Sequence, residues 1–495
     1  MDKLVETASG PVIGCSGDRV LAFLGIPYAA PPSGALRWQP PQPPDPWHNA
    51  RQCTRFGHTA WQPNGGPLDG VVPGMHVTNM GNDCLNLNVW TPSTEGQRPV
   101  MVWIHGGAFQ LGASALGVYN GERLSRRGDV VVVTINYRLG AFGFLVVDHP
   151  DATANCGLLD QVAALEWVRD NIAAFGGDPD RVTIFGESAG AGSVLSLMSI
   201  PRAEGLFHRA IVQSGATDLV LSRESALAVT ETFANAAGVG ARDLLALQAL
   251  PTDVLLRAQA EAAAELQGSI GMMPFHPVID GDVMTHSWLD ARRAGLHADV
   301  SLIIGTTHDE LGLFRSFDPQ LPTMDDELLR RRLSKDPNHD ALIASYRNLY
   351  PDASASTLWT AITSDQAMWV PALRIAEAHQ SHQPATYMYR FDWPAADDDV
   401  GSPHGIDIPF AFDTIDVDGW DEFIDGPERA HLLAKAIQHA WAAFAHSGNP
   451  TSPNLPTWHR FDPNGRATMI LGPRSHLVHD PRGPIRETWM AGAAV

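Results

Sequence analysis

Of the side chains able to do chemistry, Ser188 has the most demanding setting, within Val182-Thr-Ile-Phe-Gly186-Glu187-Ser188-Ala189-Gly190. An apolar, β-branched run feeds Gly-x-Ser-x-Gly, and small, helix-compatible residues follow, so the pattern reads as strand, sharp turn, helix. Glycines flanking Ser188 permit a strained turn that lifts its hydroxyl above a strand end, where it can attack a carbonyl carbon. Chance pentapeptides of this kind usually hold a serine that caps a helix or fills a turn. Context has to decide.

Upstream, Pro99-Val-Met-Val-Trp-Ile104 reads as a buried strand that ends in His105-Gly106-Gly107-Ala108-Phe109. Acyl transfer places negative charge on the carbonyl oxygen, and backbone N–H groups in a glycine turn can point at it unobstructed. Gly106, Gly107 and Ala189 would form such an oxyanion hole. A lone His-Gly-Gly is an ordinary tight turn, but strand-then-HGG followed by strand-then-GxSxG is the pairing of an α/β-hydrolase. In that fold the order is serine, acid, histidine, so the acid should follow a later strand. Ser301-Leu-Ile-Ile304-Gly305 is such a strand, and Thr306-Thr-His-Asp309-Glu310 is its carboxyl-end loop. Spacing does not separate Asp309 from Glu310. Among 20 histidines, His404 lies in a suitable loop, between Pro403 and Gly405, as one of several candidates for the base.

Along nearly the whole chain, ordered segments resemble the type B carboxylesterase and cholinesterase family, especially its bacterial para-nitrobenzyl-esterase-like members. They are Gly25-Ile-Pro-Tyr-Ala29 with Leu36-Arg-Trp38, Asn82-Asp-Cys84-Leu-Asn-Leu-Asn88-Val-Trp90, His105-Gly-Gly-Ala-Phe109, Asn136-Tyr-Arg-Leu-Gly140 and Gly157-Leu-Leu-Asp-Gln161. Phe175-Gly-Gly-Asp-Pro179, Phe185-Gly-Glu-Ser-Ala-Gly190, Gln213-Ser-Gly215 and Pro277-Val-Ile-Asp-Gly281 continue the series. The resemblance implies Ser188 as nucleophile, Glu310 as acid and His404 as base, with Asp309 a turn residue or a support behind the triad and Asp407 a local partner of the histidine loop. It implies that Glu187 influences the charge and water of the site, and that Ser214 supports the triad by hydrogen bonding. An N-terminal helix carboxylate and a turn serine are their plainer readings. Met273 and Phe275, where the family builds part of its acyl pocket, are candidates to contact the acyl group or simply to pack the core. No metal or organic cofactor is implied.

The chain departs from the family in places. The usual Glu-Asp-Cys reads Asn82-Asp83-Cys84, so any local salt bridge of that carboxylate is lost. The cysteine that pairs with it in many animal members is absent from Phe56-Gly-His-Thr-Ala60-Trp61-Gln62, leaving open whether Cys53 pairs with Cys84. The cholinesterase branch binds a quaternary ammonium through a tryptophan by cation–π attraction. Gly74 occupies that neighbourhood here, which argues against a dedicated choline esterase, and Trp61 is a candidate replacement wall or a packing residue.

Positioning residues from 106 to 404 at one site requires one large unit, although 495 residues alone would suggest about three domains. The expected fold is a single α/β-hydrolase domain over residues 1–495, with a mostly parallel central sheet flanked by helices. Helical cap or lateral segments are expected within about 222–270 and 315–385, around an active-site gorge. The 34 basic residues face 55 acidic ones, a net charge of −21 that disfavours nucleic acid and anionic surfaces. Four cysteines make no disulfide scaffold, no apolar stretch is long enough to span a membrane, and no signal core opens the chain, so a cytoplasmic enzyme is expected. The expected partners are a small-molecule ester and water, with no nucleic acid or membrane. Oligomeric state, physiological substrate and acyl preference are not set by the sequence.

Three functional readings follow. The first is a serine-dependent carboxylesterase acting through an acyl-enzyme. The second is a specialised hydrolase of a carbamate, amide, aromatic diester or natural-product ester using the same triad. The third, weakest because Ser188, Glu310 and His404 are all present, is a noncatalytic binding protein.

Overall fold

The parallel strands are nearly continuous apolar runs, as strands covered on both faces must be. Val131–Ile135 is buried at every position, and so is Arg98–Ile104 after its first residue. The computed structural model describes residues 3–17, 19–63, 72–217, 219–271 and 273–491. Residues 65–71 of the glycine-rich loop between Gly65 and Gly81, and Met272 beside the candidate acyl-pocket residues, lie outside them.

One sheet of 13 strands organises the chain. In chain order its principal strands are β1 (Lys3–Thr7), β2 (Gly10–Ser16), β3 (Leu21–Pro27), β4 (Asn86–Thr91), β5 (Arg98–Ile104), β6 (Val131–Ile135), β7 (Gly177–Glu187), β8 (Arg209–Gln213), β9 (Ser301–Thr307), β10 (Thr386–Phe391), β11 (Ala467–Leu471) and β12 (His476–His479). Their spatial order is β1-β2-β3-β4-β6-β5-β7-β8-β9-β10-β11-β12, with the short strand Arg51–Gln52 added beside β2. From β6 to β11 all pairings are parallel, while β1 to β4 and β12 run antiparallel at the two margins.

Because side chains alternate across a strand, the sheet divides the core in two. Val100, Val102 and Ile104 join one apolar cluster with Leu158, Val162 and Leu165 of helix Cys156–Asn171 and Val194 of helix Ala189–Leu197. Met101 and Trp103, between them in sequence, join the other with Leu433, Ile437, Trp441 and Phe444 of helix Pro427–Ser447. Helices on both faces of a mostly parallel sheet make this an α/β-hydrolase architecture.

Within 222–270 lie helices Arg223–Ala237, Leu244–Ala249 and Thr252–Leu266. The first is capped by the Ser222 hydroxyl, which accepts from Ser225 N, and ends at Gly238 with φ 74°. Within 315–385 lie helices Asp326–Leu333, His339–Leu349, Ala355–Ser364 and Val370–Gln380, the last two joined by a π-helical turn at Asp365–Trp369. That turn carries a buried ion pair, Asp365 with Arg482, both oxygens 2.6 Å from Nη1, which fastens the start of the C-terminal helix Gly483–Ala491.

Candidate active site

Strand register brings the two glycine motifs together. Ile104 of β5 pairs with Gly186 of β7, so His105-Gly106 leaves the sheet directly beside Glu187-Ser188. Ser188 carries φ 57° and ψ −125°, a strained conformation held between β7 and helix Ala189–Leu197, and its N–H donates to Gln213 O at 2.9 Å. Neither neighbouring glycine has room for a side chain. A β-carbon at Gly190 would lie 2.0 Å from Ile104 O, and one at Gly186 2.5 Å from Gly190 C. At Gly106 it would come within 2.7 Å of Glu187 O and 3.1 Å of Ser188 Cβ. Gly107 (φ 110°), Ala108 (φ 57°) and Phe109 (φ 59°) form a run of left-handed residues, and Gly107 O accepts from Leu111 N at 2.8 Å. Backbone strain of this kind gathers where geometry is functional.

The next strands deliver the acid and the imidazole. Gln213 ends β8 beside Glu187 and opposite Gly305 of β9. Glu310 follows β9, folded back so that Oε1 accepts from Thr307 N at 2.8 Å, while Oε2 lies 2.6 Å from His404 Nδ1. That contact places the proton on Nδ1 and aims Nε2 into the site. Asp309 faces elsewhere: Oδ2 accepts from Ser402 N at 3.0 Å and lies 2.9 Å from His308 Nδ1, tying this loop to the one that carries His404. The two carboxylates that sequence spacing left equivalent therefore have separate places.

Three buried carboxyl groups surround one imidazole. Nε2 of His404 lies 3.2 Å from Glu187 Oε1. Asp407, one turn beyond His404, accepts from Gln213 Nε2 at 3.0 Å and from Tyr389 OH at 2.9 Å. Burial alone would lower the His404 pKa, but the carboxylates of Glu187, Glu310 and Asp407 outweigh it and lift the value to about 9. Burial also raises Glu187 to about 8, against the pull of His404 and with help from Asp407 and Glu310. Asp407 rises to about 6, again mainly through burial. The cluster titrates as one coupled unit, because like charges at this range do not all ionise together.

Other candidate residues find different surroundings. Ser214 is buried with φ 51°, and its N–H donates to Gly305 O at 2.9 Å. Its hydroxyl has no hydrogen-bond partner among the described residues. The connection from this residue to the strand of the acid runs through its backbone N–H. Phe275 is fully buried, edge-on to Phe233 at 6.0 Å, whereas Met273 is 36% exposed. No hydrogen bond or ring contact among the described residues joins either to His404. Trp61 donates through Nε1 to Asn82 Oδ1 at 2.8 Å, so the asparagine in place of the family glutamate serves as acceptor for this indole. All four cysteines are free, which removes the Cys53–Cys84 pairing. Phe314, four positions beyond Glu310, sits with its ring 5.9 Å from that of His404. Its place in the acid loop was a readable signal. Gln213, which holds Asp407 with Tyr389, lay in the Gln213-Ser-Gly215 segment, whereas Tyr389 gave no signal.

The chain matches the carboxylesterase family over residues 1–482. It is 36% identical to a para-nitrobenzyl esterase of Bacillus subtilis (strain 168) over 98% of both chains. It is 34% identical to a phenmedipham hydrolase of Pseudarthrobacter oxydans over 95% of both. The crystal structure of a carboxylesterase from Geobacillus stearothermophilus superposes with a TM-score of 0.87 at 37% identity, covering 98% of this chain and 99% of that one. Fold, motif order and these likenesses agree: the chain belongs to the carboxylesterase family and is a serine hydrolase of carboxylic esters.

Proposed function

We propose that Ser188 attacks the ester carbonyl, that His404 takes its proton as general base, and that Glu310 holds the imidazole and stabilises its cation. The N–H groups of Gly106, Gly107 and Ala189 receive the carbonyl oxygen as it becomes an oxyanion. Collapse expels the alcohol, to which His404 returns the proton. The same base then takes a proton from water, whose oxygen attacks the acyl-enzyme to release the acid and free Ser188. The observation that carries this reading is the 2.6 Å contact of Glu310 with His404 Nδ1, beside a serine held at φ 57°.

Glu187 sets the charge facing His404, and Phe314 flanks its ring as part of the substrate wall. Met273, partly exposed, is the better candidate for acyl contact, while Phe275 is fully buried against Phe233. The helices within about 222–270 and 315–385 wall the gorge of a single domain. Among the described residues no helix is long and apolar enough to cross a membrane. The four free thiols suit a reducing compartment, which makes the cytoplasm the proposed location.

The test is hydrolysis of a p-nitrophenyl ester series, with a p-nitrobenzyl ester and phenmedipham added because two relatives are named for them. Wild type should turn over the series and folded Ser188→Ala should not. Activity surviving in the variant would assign the nucleophile elsewhere. Cleavage of phenmedipham alone would favour the specialised reading.

A further inference from the structure

Behind the glycine turn, a chain of neutral hydrogen bonds ends on the two peptide groups assigned above to the oxyanion. The Tyr137 hydroxyl donates to His105 O at 2.9 Å, and His105 Nδ1 lies 2.9 Å from Gly106 O. A carbonyl only accepts, so Nδ1 carries the proton. A trans peptide is planar, with its N–H opposed to its C=O. A bond that fixes His105 O from behind therefore aims the N–H of Gly106 forward. One that fixes Gly106 O does the same for the N–H of Gly107.

The two rings stack at 4.6 Å and 22°, and both are fully buried. Tyr137 is held in turn. Gln161 Nε2 donates to Ser193 Oγ at 2.9 Å, and the Ser193 side chain acts on the Tyr137 phenol, lowering its pKa against burial. The next residue, Arg138, is fixed by a buried pair with Asp160, at 2.7 Å from both Nε and Nη2. Helix Cys156–Asn171 thus anchors both neighbours. The space is made to fit: a β-carbon at Gly112 would lie 2.5 Å from both Gly106 O and His105 Nδ1. Gln62 secures Gly112 by accepting from its N–H at 2.8 Å and donating to its carbonyl at 2.9 Å.

We propose that Tyr137 and His105 are positioning residues that orient the Gly106 and Gly107 N–H groups toward the transition-state oxyanion, as the end of a relay running Gln161, Ser193, Tyr137, His105. This rests on the assignment of Ser188 and of those glycines made under Proposed function. Neither residue touches substrate. A misdirected N–H weakens the tetrahedral state far more than the planar ester, so the loss falls on kcat and not on KM.

The experiment compares wild type with Tyr137→Phe, His105→Leu and His105→Asn on p-nitrophenyl butyrate, together with inhibition by an alkyl trifluoromethyl ketone. Ser188 Oγ adds to the ketone carbon, its proton passes to His404, and the carbonyl π-pair becomes an oxyanion in the hole. Tyr137→Phe and His105→Leu should each lower kcat about tenfold or more and weaken the ketone by the same factor, with KM within about twofold. His105→Asn, whose Nδ2 keeps a donor near the Nδ1 position, should recover most of the loss. If a variant at 105 does not fold, Tyr137→Phe and Ser193→Ala carry the test, the latter with a smaller loss of the same kind. Folded Tyr137→Phe with kcat and ketone affinity unchanged, or a loss confined to KM, overturns the proposal and leaves the triad standing. Ser188→Ala assayed in parallel separates the two, since activity there sinks the underlying assignment as well.

Discussion

The two walls beside Ser188 are made of opposite materials. On the glycine side His105 and Tyr137 hold the turn through neutral hydrogen bonds, with Gln161 and Ser193 behind them. Burial holds His105 uncharged by lowering its pKa to about 4, and it pushes the Tyr137 phenol far above its usual range. On the acid side one imidazole meets three buried carboxyl groups, with Glu187 Oε1 3.2 Å from Nε2 and Glu310 Oε2 2.6 Å from Nδ1. The first wall fixes direction and is indifferent to pH. The second stores charge, and burial and mutual charge place the pKa of His404 at about 9 and that of Glu187 at about 8.

Ser188→Ala strikes what both walls serve, and turnover should fall on the order of 10⁵- to 10⁶-fold with the fold retained, as read by ester hydrolysis and circular dichroism. Glu310→Gln breaks only the charged wall. It should lower kcat by about 10³- to 10⁴-fold, because the imidazole loses its tautomer control and its counter-charge together. Asp309→Asn is the control: its carboxylate meets Ser402 N and His308, not His404, so kcat should stay within about tenfold. A greater loss there than in Glu310→Gln would reverse the two assignments. Gly112→Ala breaks the neutral wall by steric pressure. Its φ of 104° and the absence of space for a β-carbon predict a kcat loss of about 10- to 100-fold with an unchanged pH profile. A displaced profile would mean that the two walls are not separate.

Much of this site was legible because chemistry and geometry were written locally. Gly186-Glu187-Ser188-Ala189-Gly190 and His105-Gly106-Gly107 each follow an apolar strand, and their adjacency needed only neighbouring places in a parallel sheet. Strand order is not local. The exchange that sets β5 between β6 and β7 carries no sequence pattern, and neither do the contacts it creates. Tyr137 to His105 O and Tyr389 to Asp407 join residues on different elements, which no local pattern announces. The Asp309 and Glu310 ambiguity had the same origin. One residue of spacing cannot say which carboxylate folds back onto Thr307 N, and that hydrogen bond is what turns Glu310 toward His404.

The smallest effect is the sharpest test of the charged wall. Glu187 Oε1 stands 3.2 Å from His404 Nε2, and with Glu310 and Asp407 it holds the imidazole near a pKa of 9. An ionised neighbour favours imidazolium, so a neutral amide should lower the His404 pKa. The base must be neutral to act. The acidic limb of kcat/KM in Glu187→Gln should therefore move to lower pH, by about one unit, and activity near neutral pH should fall less than at alkaline pH. Glu187 is itself raised to about 8, so its charge is present only in the upper part of this range. The shift should accordingly be largest where wild type is measured above pH 8. An unmoved limb would show that Glu187 keeps its proton throughout, leaving Glu310 and Asp407 to set the imidazole and confining the charge of this wall to its far side.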